Sequence, residues 1–151
     1  MSWETQLQVL GEVALAILLG GIIGTEREVA NKPAGFRTHM LVAGAAALLA
    51  GLGDALVQRF SAHAVSDFIR TDPIRIIEAI VTGISFLGAG TIFRRSRGEQ
   101  VEGLTTAASL LFSAAVGICI AAQQFILGIG VTALALIVLR GVLFIERRLR
   151  R

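Results

Sequence analysis

Apolar residues along the chain fall into five long windows separated by short polar stretches. The windows cover residues 7–24, 40–58, 74–93, 104–122 and 125–145. Each is about 18 to 21 residues long, and a helix needs about 20 apolar residues to cross the hydrocarbon core of a bilayer. The pattern predicts an all-α fold, a polytopic membrane helix bundle of about five transmembrane helices.

Composition agrees with this interpretation, because 54% hydrophobic and 17% charged residues are too apolar for a soluble fold of 151 residues. The first window has no Lys or Arg before it, so we interpret it as a retained span rather than a cleaved signal peptide. Cys119 is the single cysteine and lies inside the fourth window, where it is expected to be packing material.

Basic residues are distributed unevenly if the five windows cross the membrane in alternation. One side receives Arg59, Arg70 and Arg75, and the other receives the remaining arginines and the lysine of the interhelical loops and the chain end. The positive-inside rule then places the N-terminus outside and the C-terminus in the cytoplasm. Residues 1–146 are predicted to form the transmembrane domain and residues 147–151 a basic cytoplasmic tail. No nucleic-acid partner is predicted, since the net charge of +3 arises at span ends.

The inner side carries a dense group of mixed charges between the first two windows and after the third. Within it, residues 31–35 ("NKPAG") predict a turn in which Pro33 fixes φ. His39 is either a pH-sensing group or, more commonly for an interfacial histidine, a headgroup or backbone contact. The predicted functional inner face consists of Glu26, Arg27, Glu28, Lys32, Arg37, His39, Arg94 and Arg95.

Three acidic residues are predicted to lie at one depth in the outer half of the membrane: Glu12, Asp54 and Glu78. An acid inside a span is costly unless it is paired, protonated or facing a wet cavity. One interpretation is a cation or proton pocket, for which carboxylate oxygens would suit Mg²⁺. The other is that Glu12 and Glu78 reach the headgroups or pair with arginines, which leaves only Asp54 to explain.

Small side chains recur at helical spacing in several windows and predict where helices approach one another closely. The fifth window is bulky nearly all round, so a bundle of the first four helices with the fifth outside is expected. The predicted packing residues are Gly20, Gly24, Gly83, Gly88, Gly90, Thr105, Ser109, Ser113 and Gly117.

Three blocks, residues 20–42, 72–92 and 101–118, resemble the signature blocks of the MgtC/SapB family of bacterial inner-membrane proteins. The resemblance covers about half the chain in the family's order. It implies a multi-pass protein of the cytoplasmic membrane, linked to magnesium homeostasis, magnesium-limitation stress and, in some members, virulence. It also implies that Glu26, Arg27, Glu28 and Arg37 form the functional core of the inner face.

The chain departs from the family pattern at Thr25, Ala79, Ser85 and Leu111, where leucine, glutamine, glycine and tryptophan are usual. The MgtC branch also carries a soluble cytoplasmic C-terminal domain. This chain stops at Arg151, as in the shorter SapB-like form or in a chain cut before that domain.

Two functions remain open from the sequence. The first is a regulatory protein that binds another membrane protein or a second copy of itself in the lipid bilayer. The alternative is a transporter of Mg²⁺, another cation or a small solute through the intramembrane carboxylates. An enzyme is not expected, because no nucleophile–base pair, metal-ligand cluster or phosphate loop is visible. No cofactor is predicted, and Mg²⁺ is the ion that the acidic pocket would suit.

Overall fold

The computed structural model describes residues 2–61, 73–94 and 101–149. These residues form five α-helices and one short pair of β-strands. In chain order the elements are α1 (Trp3–Val29), α2 (Phe36–Ser61), α3 (Pro73–Gly90), β1 (Phe93–Arg94), β2 (Val101–Glu102), α4 (Leu104–Ala121) and α5 (Phe125–Leu149). The predicted all-α helix bundle is therefore confirmed.

Three of the helices, α1, α2 and α4, are long and apolar enough to cross a membrane. Helix α1 has 27 residues, which at about 1.5 Å per residue corresponds to roughly 40 Å. In α5 the described apolar part covers Phe125–Gly141, which is shorter than a full span. The crossing of the membrane by α3 and α5, and the orientation of the termini, stay predictions.

Helices α1, α2 and α4 contact one another and form the centre of the bundle. Helix α3 packs against α2 and α4, whereas α5 packs against α4 and α1. Both α3 and α5 are thus peripheral, which differs from the expectation of four inner helices and one outer helix. The reason is that each of the two helices buries only one face: α3 at Ile80 and Ile84 against α2 and α4, and α5 at Thr132 and Ala135 against α1 and α4.

The hydrophobic core consists of two clusters, and α2 and α4 contribute to both. The first cluster joins α1, α2, α4 and α5 through residues such as Ala16, Ala43 and Val116, all fully buried. The second joins α2, α3 and α4. The core is rich in alanine, because close approach of helix backbones is the main source of packing energy inside a bilayer.

The connection between α3 and α4 contains an antiparallel pair of two-residue strands that the hydrophobic pattern did not predict. Phe93 pairs with Glu102 and Arg94 with Val101. Helix α3 ends at Gly90, three residues before the end of the predicted window. Gly103 follows β2 with φ of 95°, and a Cβ there would collide with the carbonyl of Thr91, so only glycine fits this turn into α4.

Candidate functional site

The end of α1 is closed by a Schellman motif, which fixes the position of the loop to α2. Asn31 has a φ of 51°, the left-handed conformation that this motif requires. The amide of Lys32 donates to the carbonyl of Arg27, and the amide of Asn31 donates to the carbonyl of Glu28, both at 3.0 Å. Pro33 follows, so the helix cannot continue.

Glu28 reaches from the last turn of α1 to the first residue of α2. Its carboxylate accepts a hydrogen bond of 2.8 Å from the amide of Phe36. A carboxylate is favoured there because the first amides of a helix lack partners and the N-terminal end of the helix dipole is positive. A Cβ at Gly35 would collide with this carboxylate, so the glycine allows the contact.

Glu26 and Arg27 form an ion pair that is almost completely buried, with side-chain exposures of 4% and 2%. The Nε and Nη2 atoms of Arg27 both donate to the same carboxylate oxygen of Glu26. A buried guanidinium cannot lose its proton, so the carboxylate is needed to balance its charge. The pair lies where Gly24 holds α1 against the backbone of Phe36 and Gly35.

His39 connects α2 to α4 and is completely buried. Its Nδ1 lies 2.9 Å from the carbonyl oxygen of Gly35, and its Nε2 lies 3.0 Å from Oγ of Ser109. A carbonyl only accepts, so Nδ1 carries a hydrogen. In the neutral ring the Ser109 hydroxyl must donate to Nε2. In the charged ring Nε2 donates instead, and the hydroxyl turns to the carbonyl of Thr106, 2.8 Å away.

Glycines bring these groups together. Gly20 on α1 lies directly against the backbone carbonyl of His39, where a Cβ would overlap that oxygen. Gly117 on α4 lies in the same way against the carbonyl of Ala43 on α2. Helix α2 therefore approaches α1 at His39 and α4 one turn further on at Ala43, in both cases at backbone distance. We call Glu26, Arg27, His39 and Ser109 the buried polar cluster, and we call Glu28, which is exposed, its carboxylate cap.

The other residues of the predicted inner face lie elsewhere. Lys32 and Arg37 are exposed. The side chain of Arg94 and the whole of Arg95 fall outside the described residues. The structure therefore divides the described part of the predicted set into three. Glu26, Arg27 and His39 are buried, Glu28 forms the carboxylate cap, and Lys32 and Arg37 form an exposed basic rim.

Two of the three predicted intramembrane acids line the same cavity. Glu12, 8% exposed, and Asp54, which is exposed, line one cavity of about 230 Å³ between α1, α2 and the end of α4. Gln8 donates to Glu12 at 3.1 Å, and Gln58 donates to Asp54 at 2.7 Å. Glu78 is exposed on α3 and does not line this cavity. Among the described residues, no group of three or more His, Cys, Asp or Glu side chains is placed to hold a metal ion.

The predicted packing residues behave differently from one helix to the next. Gly88 contacts Ala107 of α4, whereas a Cβ at Gly83 or Gly90 would meet nothing within 4 Å. Thr105 is exposed. Ser113 is fully buried, and its hydroxyl has no hydrogen-bond partner among the described residues.

Sequence reasoning missed several of these polar contacts. Ser109 was assigned only to packing, and no local signal connects it with His39, 70 positions away. The glutamines of the cavity were detectable in principle, because Gln8–Glu12 and Asp54–Gln58 both have the four-residue spacing that places side chains on one helix face.

Replacing Ser109 by alanine is expected to lower the free energy of unfolding by about 1 to 3 kcal/mol. The reason is that Nε2 of the buried His39 loses its partner and water cannot replace it. The measurement is unfolding in mixed detergent micelles. Thr105→Ala, an exposed hydroxyl on the same helix, is the control and should change stability by less than about 0.5 kcal/mol. Equal losses for the two variants would contradict the role given to the His39–Ser109 contact.

The fold and the site together define a helical membrane protein with a buried polar cluster where its three central helices meet. A model of the MgtC family matches residues 13–148. The chain belongs to the MgtC family. It is 42% identical over 118 residues to "Protein MgtC" of Brucella abortus (strain 2308), covering 78% of this chain and 44% of the relative.

Two further relatives extend the comparison. "Putative magnesium transporter YhiD" of Escherichia coli K12 is 38% identical over 130 residues, 83% of this chain and 56% of the relative. "Protein SapB" of Bacillus subtilis (strain 168) is 33% identical over 120 residues, 78% of this chain and 49% of the relative. The chain thus spans about half the length of these curated relatives. No solved structure matches.

Proposed function

We propose that this chain is a regulatory, non-enzymatic protein of the bacterial inner membrane, with a role in the response to limiting magnesium. Family membership and the name of the E. coli relative support the connection with magnesium. Three helices of spanning length support a multi-pass protein. The basic residues of the α1–α2 loop support a cytoplasmic position for the buried polar cluster.

The observation that supports the regulatory role is the connectivity of the buried polar cluster and its carboxylate cap. The cap joins α1 to α2 through Glu28, and the cluster joins α2 to α4 through His39. Both contacts converge on residues 35–39 at the start of α2, so a change there acts on all three central helices. Such an element suits a switch between two helix arrangements better than a path for ions, because its groups bind one another rather than face a cavity.

The exposed basic rim would be the contact surface for a membrane partner. Lys32 and Arg37 are exposed directly beside the buried polar cluster. A partner bound to these residues would be one turn of helix from His39. Another membrane protein or a second copy of the chain are the partners that fit a surface at the edge of a bilayer.

Transport is the second candidate function, and the cavity lined by Glu12 and Asp54 favours it. Two carboxylates beside amide groups could attract a hydrated divalent cation. Against transport, α1, α2 and α4 are unbroken helices, whereas substrate sites in many secondary transporters use interrupted helices near the midplane.

The two functions predict different results for the purified protein in vesicles that contain a magnesium indicator. We expect no Mg²⁺ flux above that of protein-free vesicles, and we expect the same protein to restore growth at limiting magnesium to a bacterium lacking its gene. Asp54→Asn should leave this growth unchanged. Glu4→Gln, an exposed acid at the start of α1, is the matched control. Selective flux that disappears in Asp54→Asn but persists in Glu4→Gln would overturn the regulatory proposal in favour of transport.

A further inference from the structure

Helix α3 presents two faces of different character. Its inner face contacts α2 and α4 through Ile80 and Ile84, which are buried, and through Gly88. Apolar and polar side chains are segregated more strongly on α3 than on the other four helices. The opposite side, the outer face of α3, is exposed and consists of Arg75, Glu78, Ala79, Thr82, Gly83, Ser85, Phe86, Ala89 and Gly90. Exposed apolar side chains flank this face at Ile74, Ile77 and Leu87.

This composition does not suit a surface that contacts lipid. Helix α3 lies beside α2 and α4, and its 18 residues extend over roughly 27 Å. If α3 crosses the membrane as the sequence predicts, its outer face borders the hydrocarbon region. Charged side chains are costly there, whereas small residues and hydroxyls are typical of contacts between membrane helices. Helix α5 provides the contrast, because its exposed side is bulky and apolar at Ile126, Leu134 and Ile137.

The glycines of the outer face take no part in the packing among the residues that the structure describes. A Cβ at Gly83 or Gly90 would meet none of their atoms within 4 Å. The four-residue spacing of Ala79 and Gly83 places two small side chains in one row, which predicts a shallow groove along the helix. Phe86 projects beside this groove with 82% of its surface exposed. A groove next to a projecting ring is a surface that a second helix can fill.

We propose that the outer face of α3 is the interface of a homodimer in which α3 packs in parallel against α3 of a second copy. All copies of one chain insert with the same orientation, so the two-fold axis is perpendicular to the membrane and the paired helices run parallel. Arg75 and Glu78 carry opposite charges one helical turn apart. Arg75 of each protomer therefore faces Glu78 of the partner subunit, and two ion pairs form reciprocally.

The charges identify the occupant as a second copy rather than an unrelated protein. A two-fold interface must be complementary to itself, and a cation and an anion on one helix face meet that condition. Pairing also removes the cost of leaving both groups against lipid. The proposal goes beyond the regulatory role and does not depend on it, since self-association is measured without growth or flux.

Cross-linking through single cysteines tests the position of the interface. Cys119 is the only native cysteine, so a Cys119→Ala background accepts one new cysteine at a chosen place. Ala79→Cys lies on the outer face of α3, and Ala133→Cys, exposed on α5, is the matched control. With two differently tagged copies in native membranes, mild oxidation should give mixed-tag dimers through position 79 and not through 133. Equal yields at both positions would overturn the proposal. A cross-linked product at position 79 in which one copy of the chain is joined to a different protein would also overturn it.

Charge reversal tests the pairing. Arg75→Glu and Glu78→Arg should each weaken self-association about tenfold, the loss expected for an interhelical polar contact in a membrane. A mixture of the two variants should associate like the unchanged protein, because each copy then carries the charges that its partner needs. This recovery cannot come from misfolding. Unchanged association in both single variants, or no recovery in the mixture, would contradict the proposed ion pairs.

Discussion

Replacing Glu26 by leucine is expected to lower the free energy of unfolding by about 3 to 5 kcal/mol, the largest effect among single substitutions in the buried polar cluster. Arg27 is 2% exposed, and both of its donors to Glu26 would lose their acceptor. A guanidinium keeps its proton at any accessible pH, so the charge would remain buried without compensation.

The converse substitution, Arg27→Met, should also destabilise the protein, because it leaves the carboxyl group of Glu26 buried without its partner. Unfolding in mixed detergent micelles measures both variants. Arg37→Met, which removes an exposed arginine, is the control and should change stability by less than about 0.5 kcal/mol. If Glu26→Leu lowered the free energy of unfolding no more than Arg37→Met does, the stabilising role of the buried Glu26–Arg27 ion pair would be contradicted.

Replacing Gly117 by valine is expected to cost about 3 kcal/mol or more, because the new side chain would force α4 away from the backbone of α2. A Cβ at this position would overlap the carbonyl oxygen of Ala43 and press on Ala46. Backbone cannot move aside as a flexible side chain can. Separation of the two helices would also strain the contact between His39 and Ser109.

Gly130→Val is the matched control, since Gly130 lies on α5 and a Cβ added there would meet nothing within 4 Å. The same change of side chain at this position should leave stability nearly unaltered. Thermal unfolding in detergent, followed by loss of the monodisperse peak in gel filtration, compares the two variants. Equal unfolding temperatures would show that α2 and α4 do not depend on the close approach at Gly117.

The helical fold could be predicted from the sequence because hydrophobic length is a local property. Uninterrupted apolar windows separated by charged stretches define where helices begin and end to within a few residues, as α1, α2 and α4 illustrate. Signals of helix ends are also local, as Asn31 and Pro33 illustrate for α1. The β1–β2 pair was not predictable, since two-residue strands have no hydrophobic period.

The candidate site was predictable only as a region. The sequence placed Glu26, Arg27, Glu28 and His39 close together because they are neighbours along the chain. It could not indicate that Glu26 and Arg27 turn into the bundle while Arg37 turns out, since charge alone favours exposure for all three. Counting residues from the ends of the spans similarly placed Glu12, Asp54 and Glu78 at one depth in the membrane. The rotation of each helix about its axis then decided that Glu12 and Asp54 line one cavity and Glu78 does not.

The sequence by itself determined the class of fold, the helix-forming segments and the membership of the MgtC family, since these depend on residue order and local hydrophobicity. Only the tertiary structure decided which polar groups bind each other, Glu28 with the start of α2 and His39 with Ser109, and which acids share a cavity, Glu12 with Asp54. The physical reason is that apolar length sets where a helix lies in the bilayer but leaves its rotation free. Rotation is fixed by packing between helices, through close contacts such as those of Gly20 and Gly117.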